Sequence, residues 1–112
     1  EVIEKQEMAP EDARERSGPH EIYLAADKVE LPLTVRGRRP GDRFTPLGAP
    51  GSTKLKDFFI DHKVPRHRRD LHPLVISADG RITWVVGRTI NEAFRLRGSE
   101  RRVLKVTARE NG

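Results

Sequence analysis

The residues best suited to chemistry in this sequence are the cations gathered between Arg36 and Arg69. This segment has ten basic residues and three acids, so its net charge of +7 exceeds the +5 of the whole 112-residue chain. Guanidinium and ammonium groups bind phosphate oxygens through charge-assisted hydrogen bonds. We therefore predict a phosphate-binding surface, suited to a nucleic acid, formed by these residues and one later arginine. Its members are Arg36, Arg38, Arg39, Arg43, Lys54, Lys56, Lys63, Arg66, Arg68, Arg69 and Arg88.

The composition favours an anionic partner and excludes several other classes of protein. The pI is about 10.1, which is typical of nucleic-acid-binding domains, with a basic but inert surface as the alternative. There is no cysteine, so disulfides and thiolate metal sites are excluded. No apolar run reaches the roughly 18 residues of a membrane span and no secretion signal is visible. We expect a cytoplasmic location without a membrane partner, and the first residue, which is not Met, suggests a fragment.

Proline and glycine predict how the first cations are presented. Pro40 and Gly41 occupy the central positions of a four-residue turn, Arg39 to Asp42, and this order is typical of a type II turn. Such a turn places Arg38, Arg39 and Arg43 around one corner. The loop that follows lacks the spacing of a phosphate-binding P-loop.

The next cations are predicted to lie on two short helices. Thr53 is a predicted N-cap for a helix over residues 54–62, in which the apolar stripe Leu55, Phe58, Phe59 and His62 faces the core. Lys54 and Lys56 then lie in the first turn of this helix. One interpretation is that they bind phosphate there, and the alternative is that Lys54 forms an ion pair with Asp57. Pro65 separates a second helix over 66–71, from which Leu71 and His67 face inward.

The remaining segments predict a β-rich core. Strands are expected at residues 22–26, 31–35, 94–97 and 103–108, and a hairpin of 74–77 and 81–86 is expected around a two-residue Asp79-Gly80 turn. Trp84 is interpreted as a core residue, with a base-stacking platform as the alternative. Residues 1–20 are interpreted as a linker or interdomain arm containing a short helix from Pro10 to Arg16, and residues 21–112 as the folded domain.

Catalytic and metal-binding patterns are weak. His62, His67 and His72 recur every five residues, which does not suit a helical zinc site. Asp57 and Asp61 share a helix face and leave open a weak Mg²⁺ site of the kind a nuclease uses. The sequence shows no catalytic residues and no metal site that we would assign.

Four blocks of sequence in a fixed order resemble a known family. VRGRRPGDRF, PLG, KLKDFFIDHKVPRHRR and PLV are similar to the C-terminal domain of bacterial tRNA(Ile)-lysidine synthetase, over roughly residues 31–96. The resemblance implies an α+β fold with a small layered β-sandwich-like core and short helices, a domain type shared with the phenylalanyl-tRNA synthetase β chain. This sequence departs from the family's usual pattern at two places, Thr53-Lys54 and Gly87-Arg88-Thr89-Ile90.

The resemblance also implies a function for the chain and for its parent protein. The parent is an ATP-dependent ligase that converts the wobble cytidine of tRNA(Ile) CAU to lysidine, and its ATP and Mg belong to a catalytic N-terminal domain. The SGGxDS loop of that domain is missing here, so this chain itself is expected to be non-catalytic and to have no cofactor. Its implied partners are the acceptor stem of tRNA(Ile) and the parent's own catalytic domain. The alternative is a protein-interaction or dimerisation module without RNA binding.

Overall fold

The computed structural model describes residues 2–13 and 18–109, which form nine β-strands and two short α-helices. The strands are Val2–Met8 (β1), Glu21–Ala25 (β2), Thr34–Arg36 (β3), Arg43–Phe44 (β4), Thr53–Lys54 (β5), Leu74–Ile76 (β6), Ile82–Val85 (β7), Thr89–Ile90 (β8) and Val103–Arg109 (β9). The α-helices are Leu55–Asp61 (α1) and Arg66–Arg69 (α2), and 3₁₀ turns lie at Pro10–Asp12, Ala26–Lys28 and Glu92–Phe94. None of the described helices has the length and apolar character needed to cross a membrane.

The strands form three antiparallel sheets. A three-stranded sheet has the order β1-β9-β2, a four-stranded sheet the order β3-β6-β7-β8, and β4 pairs with β5 alone. The four-stranded sheet is the middle layer of the molecule, because its strands contribute to two separate hydrophobic clusters. One cluster joins it to the three-stranded sheet and the other joins it to α1. This arrangement is the predicted α+β fold with a layered β core.

The two clusters explain which residues are buried. Toward the three-stranded sheet, Val75 and Trp84 pack with residues of β2 and β9. Toward α1, the packing residues are Leu55, Phe58, Phe59, Val64, Leu74, Ile76, Ile82 and Val85, together with Phe44 of β4. Burial of side chains of this size stabilises a fold by about 1.5–3 kcal/mol each. Trp84 is only 1% exposed, which confirms its interpretation as a core residue.

The register of the middle sheet brings several connections to one end of it. Arg36 lies opposite Leu74, Leu74 opposite Val85, and Val85 opposite Thr89. The end of β3, the start of β6, the end of β7 and the start of β8 therefore share one edge of the molecule. We call this edge, with the loops and helices that connect there, the basic end.

Residues 2–8 differ from the prediction of a linker. They form β1, which pairs with β9 over seven residues from Val2–Arg109 to Met8–Val103. The strand is largely exposed, so backbone hydrogen bonds rather than an apolar pattern place it in the sheet. The predicted helix from Pro10 is a 3₁₀ turn that ends at Asp12, and residues 14–16 lie outside the described residues. An interdomain role for residues 1–20 stays a prediction.

Three predicted strands or turns are also corrected. Residues 94–97 are not a strand, because Asn91 caps a 3₁₀ turn at Glu92–Phe94 by accepting a hydrogen bond from the backbone N–H of Ala93. Residues 31–33 precede β3 instead of belonging to it. The hairpin between β6 and β7 is longer than the predicted two-residue turn: Ser77 N donates to Arg81 O at 3.0 Å and closes a loop of residues 78–80, in which Gly80 has φ +88°. The strands predicted at 22–26 and 103–108 are confirmed within a residue at each end.

Candidate nucleic-acid interface

The predicted turn at Pro40-Gly41 forms one wall of the candidate site. Gly41 has φ +85° and Asp42 N donates to Arg39 O at 3.2 Å, as the type II turn requires. The Arg36 guanidinium donates two hydrogen bonds to the Asp42 carboxylate, at 2.8 and 3.1 Å. The same carboxylate accepts the backbone N–H of Arg39 at 2.8 Å. Arg36, which the sequence analysis predicts to bind phosphate, therefore stabilises this turn through its hydrogen bonds to Asp42.

The ionisation of Asp42 reflects these contacts. Burial works against the charged form of its carboxyl, but the hydrogen bonds from Arg36 and from the Arg39 backbone hold its pKa below the ordinary value of 3.8. Asp42 is thus an anion at neutral pH, and its charge is neutralised by Arg36.

The start of α1 forms the second wall. Leu55 is its first residue and Leu55 N donates to Asp42 O at 2.9 Å, so the helix start is tied to the turn. The prediction of Thr53 as the N-cap is wrong, because Thr53 belongs to β5 and no side chain caps the helix. Lys54 takes that position and lies opposite Arg43 in the β4–β5 pair. β4 begins and β5 ends beside the turn.

The two walls enclose a cleft of about 470 Å³. Arg38 and Arg39 line it from the turn, and Lys54 and Lys56 line it from the start of α1. Lys54 forms no ion pair with Asp57 among the described residues, so that alternative is not what the structure shows. Four of the predicted cations, from two separate segments of sequence, therefore meet in one place. We call it the cationic cleft.

The bend between the helices carries further cations. Lys63 has φ +56°, and Val64 N donates to Phe59 O at 2.9 Å, which closes α1 with a Schellman motif. Arg69 Nε donates to Val64 O at 2.9 Å and so stabilises the bend itself. Leu71 is 81% exposed, and the prediction that it faces inward is wrong because α2 ends before it.

Two other predictions about the helices need correction. His67 is exposed rather than turned inward, since α2 has only four residues and none of them is buried. His62 is also exposed, although its ring lies 4.0 Å from that of Phe58 between centroids. The apolar stripe of α1 is otherwise confirmed, because Leu55, Phe58 and Phe59 are buried.

Helix α2 is fixed to the end of β3 by a close backbone contact. A Cβ atom on Gly37 would lie 2.3 Å from the carbonyl oxygen of Asp70. The neighbouring Arg38 donates from Nε and Nη2 to Asp70 Oδ1, at 3.1 and 2.7 Å. Asp70 thus lines the cationic cleft as well, and sequence reasoning missed it because its partner lies 32 positions earlier.

The eleven predicted cations fall into two groups in the described part of the chain. Arg36 and Arg38 make ion pairs, Arg69 bonds a backbone carbonyl, and Arg43 donates to Ser52 Oγ at 3.3 Å. The side chains of the others make no hydrogen bond or ion pair there. This second group consists of Arg39, Lys54, Lys56, Lys63, Arg66, Arg68 and Arg88.

Arg88 lies apart from the cationic cleft. It is in the connection from β7 to β8 and lines a second cleft of about 400 Å³, which also contacts Trp84 and Ile90. The register places this connection at the same end of the sheet as Arg36 but at the opposite edge strand. Three strand spacings of about 4.8 Å separate the two edges by about 14 Å.

Cations elsewhere in the described residues are mostly neutralised. Six of them form ion pairs with carboxylates: Arg81 with Asp79, Arg95 and Arg97 with Glu92, Arg102 with Glu7, Lys105 with Glu21, and Arg109 with Glu4. Two of these pairs lie on the three-stranded sheet, and a third joins β1 to Arg102, directly before β9. Unpaired positive charge is therefore concentrated at the basic end. No group of three or more possible metal ligands occurs within residues 2–13 and 18–109.

Comparison with known proteins identifies a family of C-terminal domains that this chain resembles. Residues 33–106 match the family model described as TilS substrate C-terminal domain. The chain is 41% identical over 104 residues to a tRNA(Ile)-lysidine synthase of Symbiobacterium thermophilum, covering 92% of this chain and 21% of that protein. It is 43% identical over 84 residues to the enzyme of the same name from Clostridium tetani, covering 75% and 18%. The chain spans about a fifth of the length of these relatives.

Two solved structures resemble the fold. A crystal structure of a TILS C-terminal domain superposes with a TM-score of 0.77 and 35% identity, over 94% of this chain and 80% of that one. An N-terminal fragment of the phenylalanyl-tRNA synthetase β-subunit from Pyrococcus horikoshii gives a TM-score of 0.61 at 21% identity, over 78% and 27%. The second likeness concerns the fold alone. Together they confirm the predicted domain type.

Proposed function

The chain belongs to the family of TilS substrate C-terminal domains, and from that premise we propose that it is the tRNA-binding domain of a tRNA(Ile)-lysidine synthase. The observation that carries the proposal is the cationic cleft, where Arg38, Arg39, Lys54 and Lys56 meet from two segments of sequence. Backbone hydrogen bonds fix the turn and the start of α1, so these positive charges are presented without the cost of ordering a loop on binding. Phosphate oxygens are the ligands that such groups suit.

The proposed ligand is the acceptor stem of tRNA(Ile). A base-paired RNA stem is recognised mostly through its shape, its phosphates and its 2′-hydroxyls, because its deep major groove is closed to side chains. The basic end offers charges at the cleft, along the α1–α2 bend and at Arg88, about 14 Å from the edge at Arg36. A surface of this kind suits a phosphate backbone better than a set of base edges. We expect it to position the stem without reading its sequence.

The chemistry of the proposed parent lies outside this chain. The parent would use ATP to adenylate C2 of the wobble cytidine in the anticodon, and lysine would then displace AMP to give lysidine. ATP and Mg would bind the parent's catalytic domain, which would be this domain's protein partner in the cytoplasm. The role of this chain would be to grip the tRNA far from the anticodon while that reaction proceeds.

Salt dependence tests the proposal directly. If the four cations of the cleft neutralise about four phosphates, the slope of log K against log salt concentration is about −3 to −4. Affinity for a tRNA transcript then falls about a hundredfold between 50 and 200 mM salt. Fluorescence anisotropy of labelled tRNA measures this, and binding that is absent or insensitive to salt would contradict the proposal.

A pair of charge-reversal variants locates the binding surface. Lys54→Glu with Lys56→Glu removes half of the cleft's cations, and we expect binding to be lost while thermal stability is retained, since both side chains are exposed and make no ion pair among the described residues. Lys5→Glu with Lys28→Glu is the matched control, because these lysines are also exposed but do not line the cleft. It makes the same change in net charge. Equal losses in both variants would mean that the cleft is not the binding surface.

The alternative of a protein-interaction or dimerisation module remains separable by experiment. It predicts self-association or binding to the parent's catalytic domain without affinity for RNA. Sedimentation velocity of the 112-residue chain, with and without tRNA, distinguishes the two. Incubation of RNA with the chain and Mg²⁺ tests the remaining alternative of a nuclease that uses Asp57 and Asp61.

A further inference from the structure

Two carboxylates lie in a cleft whose other charged residues are all cations. Asp42 and Asp70 both line it, although an anion in a phosphate site repels the ligand. Their surroundings differ sharply, since the Asp42 side chain is 13% exposed and that of Asp70 is 73% exposed.

We propose that these carboxylates have opposite effects on RNA binding. Asp42 is a positioning residue that holds the four cations in place, and it strengthens binding without contacting RNA. Asp70 is a competing anion: its carboxylate binds the Arg38 guanidinium in the free protein and is displaced by a phosphate when RNA binds. This inference rests on the proposed function and assigns roles within the same cleft.

The positioning role of Asp42 follows from its contacts with three segments. Its carboxylate binds the Arg36 guanidinium at the end of β3 and the backbone N–H of Arg39 in the turn. Its carbonyl oxygen accepts Leu55 N at the start of α1. The carboxylate therefore fixes the turn that carries Arg39, and the backbone of the same residue connects this turn to the wall that carries Lys54 and Lys56.

The negative charge of Asp42 lowers the positive charge that the cleft presents to a ligand only slightly. The Arg36 guanidinium is 19% exposed and bonds both carboxylate oxygens, so the pair presents little net charge to a ligand. Arg36 itself is then unavailable for phosphate, in contrast to the sequence prediction.

The competing role of Asp70 follows from the exposure of its side chain and from its contact with Arg38, which uses only one carboxylate oxygen. A single oxygen, Oδ1, accepts both hydrogen bonds from Arg38. Such a solvent-exposed pair contributes little, because water and salt screen it. An RNA backbone phosphate carries the same single negative charge but offers the guanidinium two oxygens, whereas Asp70 offers it one. Replacement of the Asp70 carboxylate by a phosphate therefore favours the bound state once RNA is in the cleft.

Two substitutions of equal charge test the proposal. Asp42→Asn and Asp70→Asn each remove one negative charge from the same cleft, so simple electrostatics predicts that both tighten binding. We expect Asp42→Asn instead to weaken binding of a tRNA transcript about tenfold. We expect Asp70→Asn to strengthen it about two- to fivefold.

The salt slope separates positioning from a loss of folded protein. A partly unfolded sample lowers the active fraction but leaves the slope unchanged, whereas misplaced cations reduce its magnitude by about one for each lost phosphate contact. Asp42→Asn should reduce the slope, and Asp70→Asn should retain or increase it. Arg36→Lys is a second variant, which keeps the net charge but loses the two-pronged hydrogen bonding, and it should act like Asp42→Asn.

Each outcome has a definite meaning. Unchanged or tighter binding in Asp42→Asn would overturn the positioning role. Weaker or unchanged binding in Asp70→Asn would overturn the competing role. A wild-type chain that does not bind tRNA would instead refute the proposed function, and that result is obtained before any variant is made.

Discussion

Replacement of Gly37 by alanine is expected to destabilise the fold by separating α2 from the end of β3. The new Cβ atom would lie 2.3 Å from the carbonyl oxygen of Asp70, which is too close for any pair of non-bonded atoms. The opposing atom belongs to the backbone and cannot rotate away as a flexible side chain would. The helix and the turn that carries Arg38 must therefore move apart.

The cost follows from the size of the overlap. Overpacking of this kind costs about 1–3 kcal/mol, and the smaller conformational freedom of alanine in the unfolded chain returns about 0.4–1 kcal/mol. A net loss of about 1–2 kcal/mol lowers the midpoint of thermal unfolding by about 4 °C per kcal/mol in a domain of this size. We expect a fall of about 4–8 °C.

Trp84 provides the assay. It is the single tryptophan of the chain and is 1% exposed, so its fluorescence reports unfolding by urea or heat. The matched control is Gly51→Ala, because a Cβ atom on the exposed Gly51 would meet nothing within 4 Å. This control should be neutral or slightly stabilising. If Gly37→Ala unfolds at the same temperature as Gly51→Ala, the contact between β3 and α2 does not exist as described.

Three further changes test other parts of the structure. Lys63→Gly should leave stability unchanged or raise it by up to about 1 kcal/mol, since glycine adopts the φ of +56° without strain. The same change should weaken tRNA binding if Lys63 contacts phosphate. Thermal melts measure the first effect and fluorescence anisotropy the second. Thr83→Val should raise the free energy of unfolding by about 1 kcal/mol, because Thr83 Oγ1 is buried without a hydrogen-bond partner in the described structure; urea unfolding checks it. The pKa of Asp42 is lowered from 3.8 on folding, so its contribution to stability is complete above that value and is lost as the pH falls through the folded pKa. The difference in unfolding free energy between wild type and Asp42→Asn should therefore be constant from pH 7 to about 5 and shrink at more acidic pH, and a difference that grows in acid would contradict this sign.

The parts of the fold that the sequence predicts are those with local causes. Proline at Pro40 and glycine at Gly41 determine a turn by their own backbone preferences. The apolar spacing of α1 and the apolar run around Trp84 similarly identify a helix and a central strand, because burial on one face or on both requires those patterns.

The parts that the sequence does not predict depend on distant partners. β1 has little apolar content, and it is a strand because β9, about a hundred residues later, offers it backbone hydrogen bonds. Phe94 looks like a strand residue, but the side chain of Asn91 caps a 3₁₀ turn there instead. A local pattern contains neither of these contacts.

The same limit applies to the candidate site. The sequence identifies all the cations of the segment but does not distinguish those that bind the protein itself from those that remain available. Arg36 and Arg39 are three positions apart and look alike, yet the guanidinium of the first is bonded to Asp42, whereas that of the second is exposed and makes no hydrogen bond or ion pair in the described residues. The difference arises from the approach of Asp42, and only the folded chain reveals it.

The size of the basic end implies how the domain would contribute to a whole enzyme. The described surface totals 7053 Å², and a single nucleic-acid-binding module typically buries about 600–1,000 Å². That area is about a tenth of the total, so under the proposed function the isolated chain should bind tRNA weakly and with marked salt dependence. Tethering to a second RNA-binding domain converts such a weak contact into an intramolecular one at millimolar effective concentration. Under the proposed function, the domain would therefore gain its affinity from linkage, and the cationic cleft would need only to hold the stem in register while the remainder of the tRNA is bound elsewhere.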